Sequence, residues 1–493
     1  MRSHLHTRTS PKRLSAVGAA ALLTLMLSAC AVGPDYVRPA PPPGTALAFK
    51  EDGPWRPAAG GTPVEAGTWW KAFGDPQLDA LVDEANGANQ NVQAAQAQYA
   101  QAQALLQGAQ ASWFPTVGVN GAATRARSIT SGVRSLGDSH SWSLQAAWEP
   151  DLWGRVSRQV ESAGASAQAS EADLAGIRLT IQAAVVNNYI QLRLTDQQKA
   201  LFARTLEGYR KSLGITQAQF RAGINTRSDV ALAQATLSGA QAQAIDVDLT
   251  RRQLEHALAV LLGKAPADFT LAPAELSVTT PAIPDLLASA LLERRPDIAG
   301  AEARVAAANA NIGVAQAAWY PHIGLGASGG YQGAGFGPLF ASPGEVWALG
   351  ATLVGTLFDG GLRKAQNAQA RAAFDMAAAN YRQTVLGGFQ EVEDNLAALN
   401  DLAQERIAQD DAVKASRDAE RVALSQYRAG TTTYLSVITA QTLALTNERT
   451  LLQLQGRQFA ANVALIKATG GGWQAAPLQT AGAENKNITP SNK

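Results

Sequence analysis

Gln219-Phe220-Arg221-Ala222-Gly223 and Gln426-Tyr427-Arg428-Ala429-Gly430 are one phrase written twice, 207 residues apart. A second phrase, Ala109-Gln110-Ala111-Ser112-Trp113-Phe114-Pro115, returns 206 residues later as Ala315-Gln316-Ala317-Ala318-Trp319-Tyr320-Pro321. Two phrases about a hundred residues apart that keep almost one offset mark a duplicated unit, far longer than a solenoid repeat.

Proline punctuates these units sparingly. Pro150 and Pro266 bracket 115 residues without one, and Pro343 and Pro477 bracket 133. Both stretches are rich in Ala, Gln, Leu, Arg and Glu, strong helix formers, and each is broken once, at Arg-Ala-Gly. Each half therefore parses alike. A helix (77–112, then 297–318) is stopped by Trp-aromatic-Pro, and two strands joined by a Gly/Ser-rich loop follow. A very long helix (155–221, 361–428), the glycine turn and a shorter helix (226–262, 432–468) complete the unit. At ~1.5 Å per residue the long helices span roughly 100 Å and the shorter ones roughly 55 Å. Two shorter helices end to end match the long one in the first half. The 22-residue helix of the second half leaves that match looser. This length relation suits a layered helical cylinder.

The strands are expected over 113–127, 140–152, 319–332 and 345–358. Trp142, Leu144, Ala146 and Trp148 alternate with Ser141, Ser143, Gln145 and Ala147, and Trp347, Leu349, Ala351, Leu353 and Leu357 alternate with small residues. Segments of about ten residues, apolar on one face and small or polar on the other, suit a transmembrane barrel. Four strands cannot close a barrel with a lumen, but three chains pool twelve under cyclic symmetry. The fold class expected is mainly α with a transmembrane β-barrel contribution: a duplicated helix–two strands–long helix–short helix unit assembling as a trimeric α-barrel plus a twelve-stranded β-barrel.

Composition agrees. The 493 residues carry 41 basic and 40 acidic side chains, 46% are hydrophobic and 16% charged. Near-zero net charge argues against nucleic acid as a partner. No apolar run reaches the ~18–20 residues of a spanning helix. The single cysteine, Cys30, excludes an intramolecular disulfide framework.

Cys30 follows a basic segment (Arg2, Arg8, Lys12, Arg13), an apolar stretch from Ala16 to Leu27, and Ser28-Ala29. This reads as a targeting signal and resembles a bacterial lipoprotein signal, which implies cleavage before Cys30 and acylation of that residue. An ordinary secretory signal with an incidental cysteine is the other reading. Ala31, in place of an Asp, favours outer-membrane sorting. The expected organisation is a signal peptide (1–29), a Pro-rich lipid-anchored segment (30–76), two repeats (77–270 and 271–472) and a flexible C-terminal tail (473–493).

Asp35-Tyr36, Trp69-Trp70-Lys71-Ala72-Phe73-Gly74-Asp75-Pro76, Asp151-Leu152-Trp153-Gly154-Arg155, Glu293-Arg294-Arg295-Pro296-Asp297-Ile298 and Phe358-Asp359-Gly360-Gly361 together resemble the TolC-like outer-membrane efflux factors, closest to their lipoprotein (NodT-type) branch. The resemblance runs to about Trp473. It implies a homotrimeric, non-enzymatic exit duct in the outer membrane that extends into the periplasm and passes small molecules or drugs. A periplasmic adaptor (membrane fusion protein) and an inner-membrane transporter of the resistance-nodulation-division class are the implied partners, and outer-membrane lipid the surroundings. No cofactor is implied beyond the covalent lipid on Cys30.

The same resemblance makes the two glycine turns, Ala222-Gly223-Ile224 and Ala429-Gly430-Thr431, periplasmic tips that dock the adaptor. The segment after the second tip forms the pore constriction in relatives. Here Leu435 matches its apolar ring, and Thr439 and Thr442 stand where Asp and Arg are expected. Hydroxyls cannot hold a cation ring as carboxylates do. Asp229, in the first-half tip, is a second source of pore acidity or a helix N-terminal stabiliser. His140, His256 and His322 lack metal-ligand spacing, and Glu391, Glu393, Asp394, Asp410 and Asp411 read as solvated or lumen-facing charge. Two other readings stay open: a type I protein-secretion channel of the same architecture, and a lipid-anchored periplasmic coiled-coil spacer.

Overall fold

The computed structural model describes residues 32–40, 49–51, 67–130, 133–279, 281, 294–334 and 344–474. Cys30 and the signal segment lie outside the described residues, as does most of the C-terminal tail. The elements in chain order are α1 (Pro76–Ala88), α2 (Gln90–Ala111), β1 (Thr116–Thr130), β2 (Val133–Trp148), α3 (Arg155–Arg221), α4 (Arg227–Leu261), α5 (Pro296–Ala317), β3 (His322–Gly333), β4 (Glu345–Val354), α6 (Leu362–Arg428) and α7 (Tyr434–Ala468).

The duplication is complete in length. The long helices α3 and α6 have 67 residues each, α4 and α7 have 35 each, and α2 and α5 have 22 each. The single helix expected over 77–112 is corrected to two, and the correction removes the looser match of the second half. Asn89 makes the break. Its backbone N–H ends α1 on the Ala85 carbonyl at 3.0 Å, and its Oδ1 caps α2 by accepting from the N–H groups of Asn91 and Val92 at 2.9 and 3.3 Å. Its Nδ2 donates to the Leu261 carbonyl at the end of α4 at 2.8 Å, so α2 and α4 meet head to tail at this residue. In the second half Arg295, just ahead of α5, donates to the Ala468 carbonyl at the end of α7 at 3.0 Å.

The helices form a single layer in which α3 lies between the α2–α4 column and the α5–α7 column, and α6 flanks the latter. Burial follows position. Helix α3 has neighbours on two sides and buries Ala165, Ala167, Ala169 and Ala172 as well as Val185, Val186 and Tyr189. Small side chains let such columns approach closely, which accounts for the low charge and high Ala content. Helix α6 is of equal length but buries one stripe at helical spacing: Ala378, Tyr381, Val385, Val392, Leu396 and Leu399. Its other flank exposes Met376, Leu386, Ile407 and Val422. Among the described residues no helix is long and apolar enough to cross a membrane.

The largest core lies at mid-height. Trp69–Phe73 forms a 3-10 turn, Gly74 takes a left-handed φ of 70°, and Asp75 caps α1 through Gln77 N and Leu78 N. Asp75 also accepts from Tyr189 Oη of α3 at 2.6 Å. This turn carries Trp69, Trp70 and Phe73 into a cluster with Leu78, Val186 and Val463, and a buried aromatic there contributes about 3 kcal/mol or more. The Pro-rich segment is docked where it is described. Val32 N–H donates to the Trp153 carbonyl at 3.1 Å, Arg158 donates to Asp35 at 2.9 Å, and Tyr36 and Arg38 both donate to Glu302. Phe49 is buried against Val392 and Leu396.

The four strands form one antiparallel sheet in the order β1-β2-β3-β4. The hairpin β1–β2 is longer than expected, paired as far as Thr130 and Val133, and β4 ends at Val354, which leaves Leu357 beyond it.

Candidate functional site

The register divides the sheet into two faces. Val117 lies opposite Ala146, Val119 opposite Leu144, Trp142 opposite Tyr331, Ala327 opposite Leu349 and Ile323 opposite Leu353, all on one face. The other face carries Asn120, Ser141, Ser143, Gln145, Ser328 and Thr352 among glycines. The first is an apolar surface with stacked Trp142 and Tyr331 rings 5.6 Å apart; the second is small and hydrophilic. At the strand–helix junction Trp153 stacks on Tyr320 at 5.0 Å and donates to the Pro321 carbonyl, and Trp148 donates to the Trp113 carbonyl. This places a second aromatic level below the first. The Asp-Gly motifs sit here as helix caps: Asp151 accepts from Val156 N and Ser157 N at 2.9 and 2.7 Å, and Asp359 from Gly361 N at 2.9 Å.

The far ends of α3 and α6 close in matching turns. Gly223 and Gly430 have φ of 74° and 75°. Ile224 N–H reaches back to the Gln219 carbonyl and Thr431 N–H to the Gln426 carbonyl, each at 2.9 Å. These are Schellman closures, in which the left-handed residue must be glycine or pay a steric penalty. Ala222, Gly223, Ile224, Ala429, Gly430 and Thr431 are all exposed, and a Cβ on either glycine would meet nothing within 4 Å.

Beyond the second tip, Leu435, Thr439 and Thr442 share the exposed face of α7, with Leu435 62% exposed. Thr439 Oγ1 donates back to the Leu435 carbonyl at 2.8 Å. Asp229 completes a capping box with Thr226: its Oδ2 accepts from Thr226 N at 3.0 Å, and its own N–H donates to Thr226 Oγ1 at 3.3 Å.

Behind this face lies a polar seam that sequence reasoning did not identify. Asn225 Nδ2 donates to Tyr427 Oη, and Tyr427 Oη donates to Thr216 Oγ1 at 3.0 Å. Thr216 Oγ1 donates to the Ser212 carbonyl at 2.9 Å, and Gln441 Nε2 to Ser212 Oγ at 3.1 Å. The seam joins α3, α6, α7 and both tips. The repeat itself hid it: Tyr427 and Phe220 occupy equivalent places, yet Tyr427 is 2% exposed and Phe220 43%. Glu420 stands beside Gln441, and burial raises its pKa above the ordinary carboxylate value. Burial likewise pushes the Tyr209 hydroxyl up to about 12.

The acidic residues read as solvated charge also have partners: Asp410 and Asp411 pair with Arg406 and Lys414 on their own helix, and Glu391, though exposed, and Glu393 reach other segments. Glu391 accepts from Arg295 Nη1 at 2.8 Å, and Glu393 accepts from the backbone N–H groups of Lys50 and Glu51 at 2.8 and 3.0 Å. Among the described residues no group of three or more His, Cys, Asp or Glu side chains is arranged to hold a metal ion.

A sheet with one apolar and one small hydrophilic face, continued by a helical wall about 100 Å long, is a segment of a membrane-spanning duct. The chain belongs to the outer membrane efflux protein family, which it matches over residues 81–264 and 287–471, once in each half. It is 33% identical over 424 residues to the pyoverdine export outer membrane protein OpmQ of Pseudomonas putida, across 83% of this chain and 88% of that one. It is 30% identical over 462 residues to the toluene efflux pump outer membrane protein TtgC of Pseudomonas putida, across 92% and 95%. The outer-membrane channel OprN superposes with a TM-score of 0.83 at 31% identity, covering 90% of this chain and 100% of that one. The protein is therefore an outer-membrane efflux channel component, mainly helical, with a sheet that contributes to a β-barrel.

Proposed function

We propose that three copies of this chain close into a passive exit duct. The single observation that carries this reading is the pair of open edges. Among the described residues strands β1 and β4 each have one unpaired side, in a sheet whose outward face is apolar, and an open edge cannot stand in lipid. Pairing β4 of one copy with β1 of the next gives twelve strands. The same step covers the apolar flank of α6 with the exposed Leu232, Ile245 and Leu249 of α4. The polar face then lines the lumen.

In this reading the two tips receive the hairpins of a periplasmic adaptor, which couples the duct to an inner-membrane transporter of the resistance-nodulation-division class. Leu435, Thr439 and Thr442, with Asp229 nearby, line the entrance. The signal is removed before Cys30, whose acylation holds the docked Pro-rich segment at the membrane. The duct catalyses nothing and needs no cofactor. Small organic molecules are its cargo, a reading supported by the export and efflux names of OpmQ and TtgC. Mass measurement of the detergent-extracted protein tests the proposal. A trimer that forms ion-conducting pores in a planar bilayer, with a subunit mass that begins at a lipid-bearing Cys30, is the expected result. A monomer without conductance overturns it.

A further inference from the structure

The outward face of the β1–β2 hairpin changes character along its length. On β2 that face reads Trp148, Ala146, Leu144 and Trp142, then His140, Asp138, Leu136 and Arg134. On β1 the same face reads Val117, Val119, Gly121 and Ala123, then Arg125, Arg127 and Ile129. At ~3.4 Å per residue and a tilt of about 40°, the ten-residue step from Trp148 to Asp138 rises roughly 26 Å, close to the ~25 Å apolar band of an outer-membrane barrel. The charges therefore begin where the hydrocarbon ends, on the side away from the helices.

Their arrangement is not self-neutralising. Arg125 pairs with Asp138 at 3.6 Å. Arg127 lies opposite Leu136 and Arg134 opposite Ile129, so Arg127 has two diagonal neighbours on this face, Arg134 and Asp138, and Asp138 is already paired with Arg125. Arg127 and Arg134 are both exposed, and neither has a carboxylate partner among the described residues. The other acid on this face, Glu345, is on β4, two strands from β2 within the chain and, in the ring proposed above, on the strand beside β1 of the next copy, which leaves the arginines in excess. Like charges so placed repel one another unless an anion lies between them, and guanidinium forks match the oxygens of a phosphate.

We propose that Arg127 and Arg134, with Arg125 beside them, bind the phosphate groups of a phosphorylated glycolipid in the outer leaflet. The charge is cationic, it lies at headgroup height, and it faces lipid rather than the lumen. Three hairpins would carry three such sites around the barrel. The inference rests on the outward assignment of the apolar face made above.

Native mass spectrometry of the detergent-purified oligomer tests it, with three probes: bisphosphorylated lipid A, its dephosphorylated form and phosphatidylglycerol. Wild-type protein is expected to retain bisphosphorylated lipid A at least ten-fold better than either other lipid. The double substitution Arg127→Gln and Arg134→Gln should abolish that preference, and Arg127→Lys with Arg134→Lys should keep part of it. Both pairs change exposed side chains, and the oligomer mass, read in the same spectrum, reports barrel assembly separately. Equal retention of the dephosphorylated lipid or of phosphatidylglycerol overturns the proposal. So does undiminished binding by an intact oligomer of the Gln variant.

Discussion

Tyr427, the last buried residue of α6, donates its hydroxyl hydrogen to Thr216 of α3 across a sequence separation of 211 residues, at 3.0 Å. The same oxygen accepts from Asn225, just past the opposite tip. One phenol thus ties both halves of the duplication together beside the two glycine turns. Tyr427→Phe keeps the ring contact with Tyr434, whose centroid is 5.4 Å away, and removes both bonds. The expected cost is about 1–2 kcal/mol, felt as a loosened entrance. Single-channel recording should show a longer open time than wild type; unchanged gating would mean that this seam does not hold the entrance.

The tip glycines separate strain from docking. Gly430→Leu places a side chain at φ of 75° and costs roughly 1–2 kcal/mol, but it points into open space. The oligomer should survive while affinity for the adaptor, measured by surface biosensor, falls at least ten-fold. Gly208→Ala, inside α3 and also without a neighbour within 4 Å, should raise stability by about 0.5–1 kcal/mol and leave docking untouched. Full adaptor affinity in Gly430→Leu would remove the second tip from the docking surface.

Glu420 gives the fold behind the two glycine turns a pH-dependent stability. It faces Tyr209 of α3 and Gln441 and Glu448 of α7, with Arg417 on its own helix. Burial raises its pKa above the ordinary 4.5, so the folded protein holds this proton more tightly than the unfolded chain does. Its contribution to stability is complete below pH 4.5 and is lost as pH rises through the raised folded value. When protonated it can also serve Gln441 Oε1, a buried acceptor without a donor among the described residues. Glu420→Gln should therefore flatten the stability–pH curve across that window and exceed wild type at neutral pH. Parallel curves for the two proteins would refute this assignment.

Asn89→Ala removes an N-cap and the bond to Leu261 together. A loss of about 1–2 kcal/mol is expected, read as a lower denaturant midpoint of the purified oligomer. A loss below about 0.3 kcal/mol would place the joint between α2 and α4 in the packing alone.

Much of this architecture was legible because proline is scarce and glycine is placed where helices stop. The limits of α3 fall at the residues the sequence indicates, 155 and 221, and the strand faces follow from alternation alone. Asn89 escaped because Ala and Gln continue on both sides of it, and a cap shows only when its partners are known. The pairs Arg158–Asp35 and Arg38–Glu302 join residues 123 and 264 positions apart, a separation that periodicity does not encode. The entrance seam was hidden for another reason. Duplication suggests equal roles for Phe220 and Tyr427, whereas within the chain only Tyr427, which lies between the halves, is buried.

The joints at Asn89–Leu261 and Arg295–Ala468 give the wall a mechanical character. Two of its four columns are jointed at mid-height, and the other two, α3 and α6, run through without interruption. Each 35-residue arm below a joint is about 52 Å long, so a tilt of about 10° there sweeps its tip sideways by roughly 9 Å. The continuous helices act as struts and the jointed ones as levers, which allows an aperture to widen at one end of the wall while the end embedded in lipid stays still.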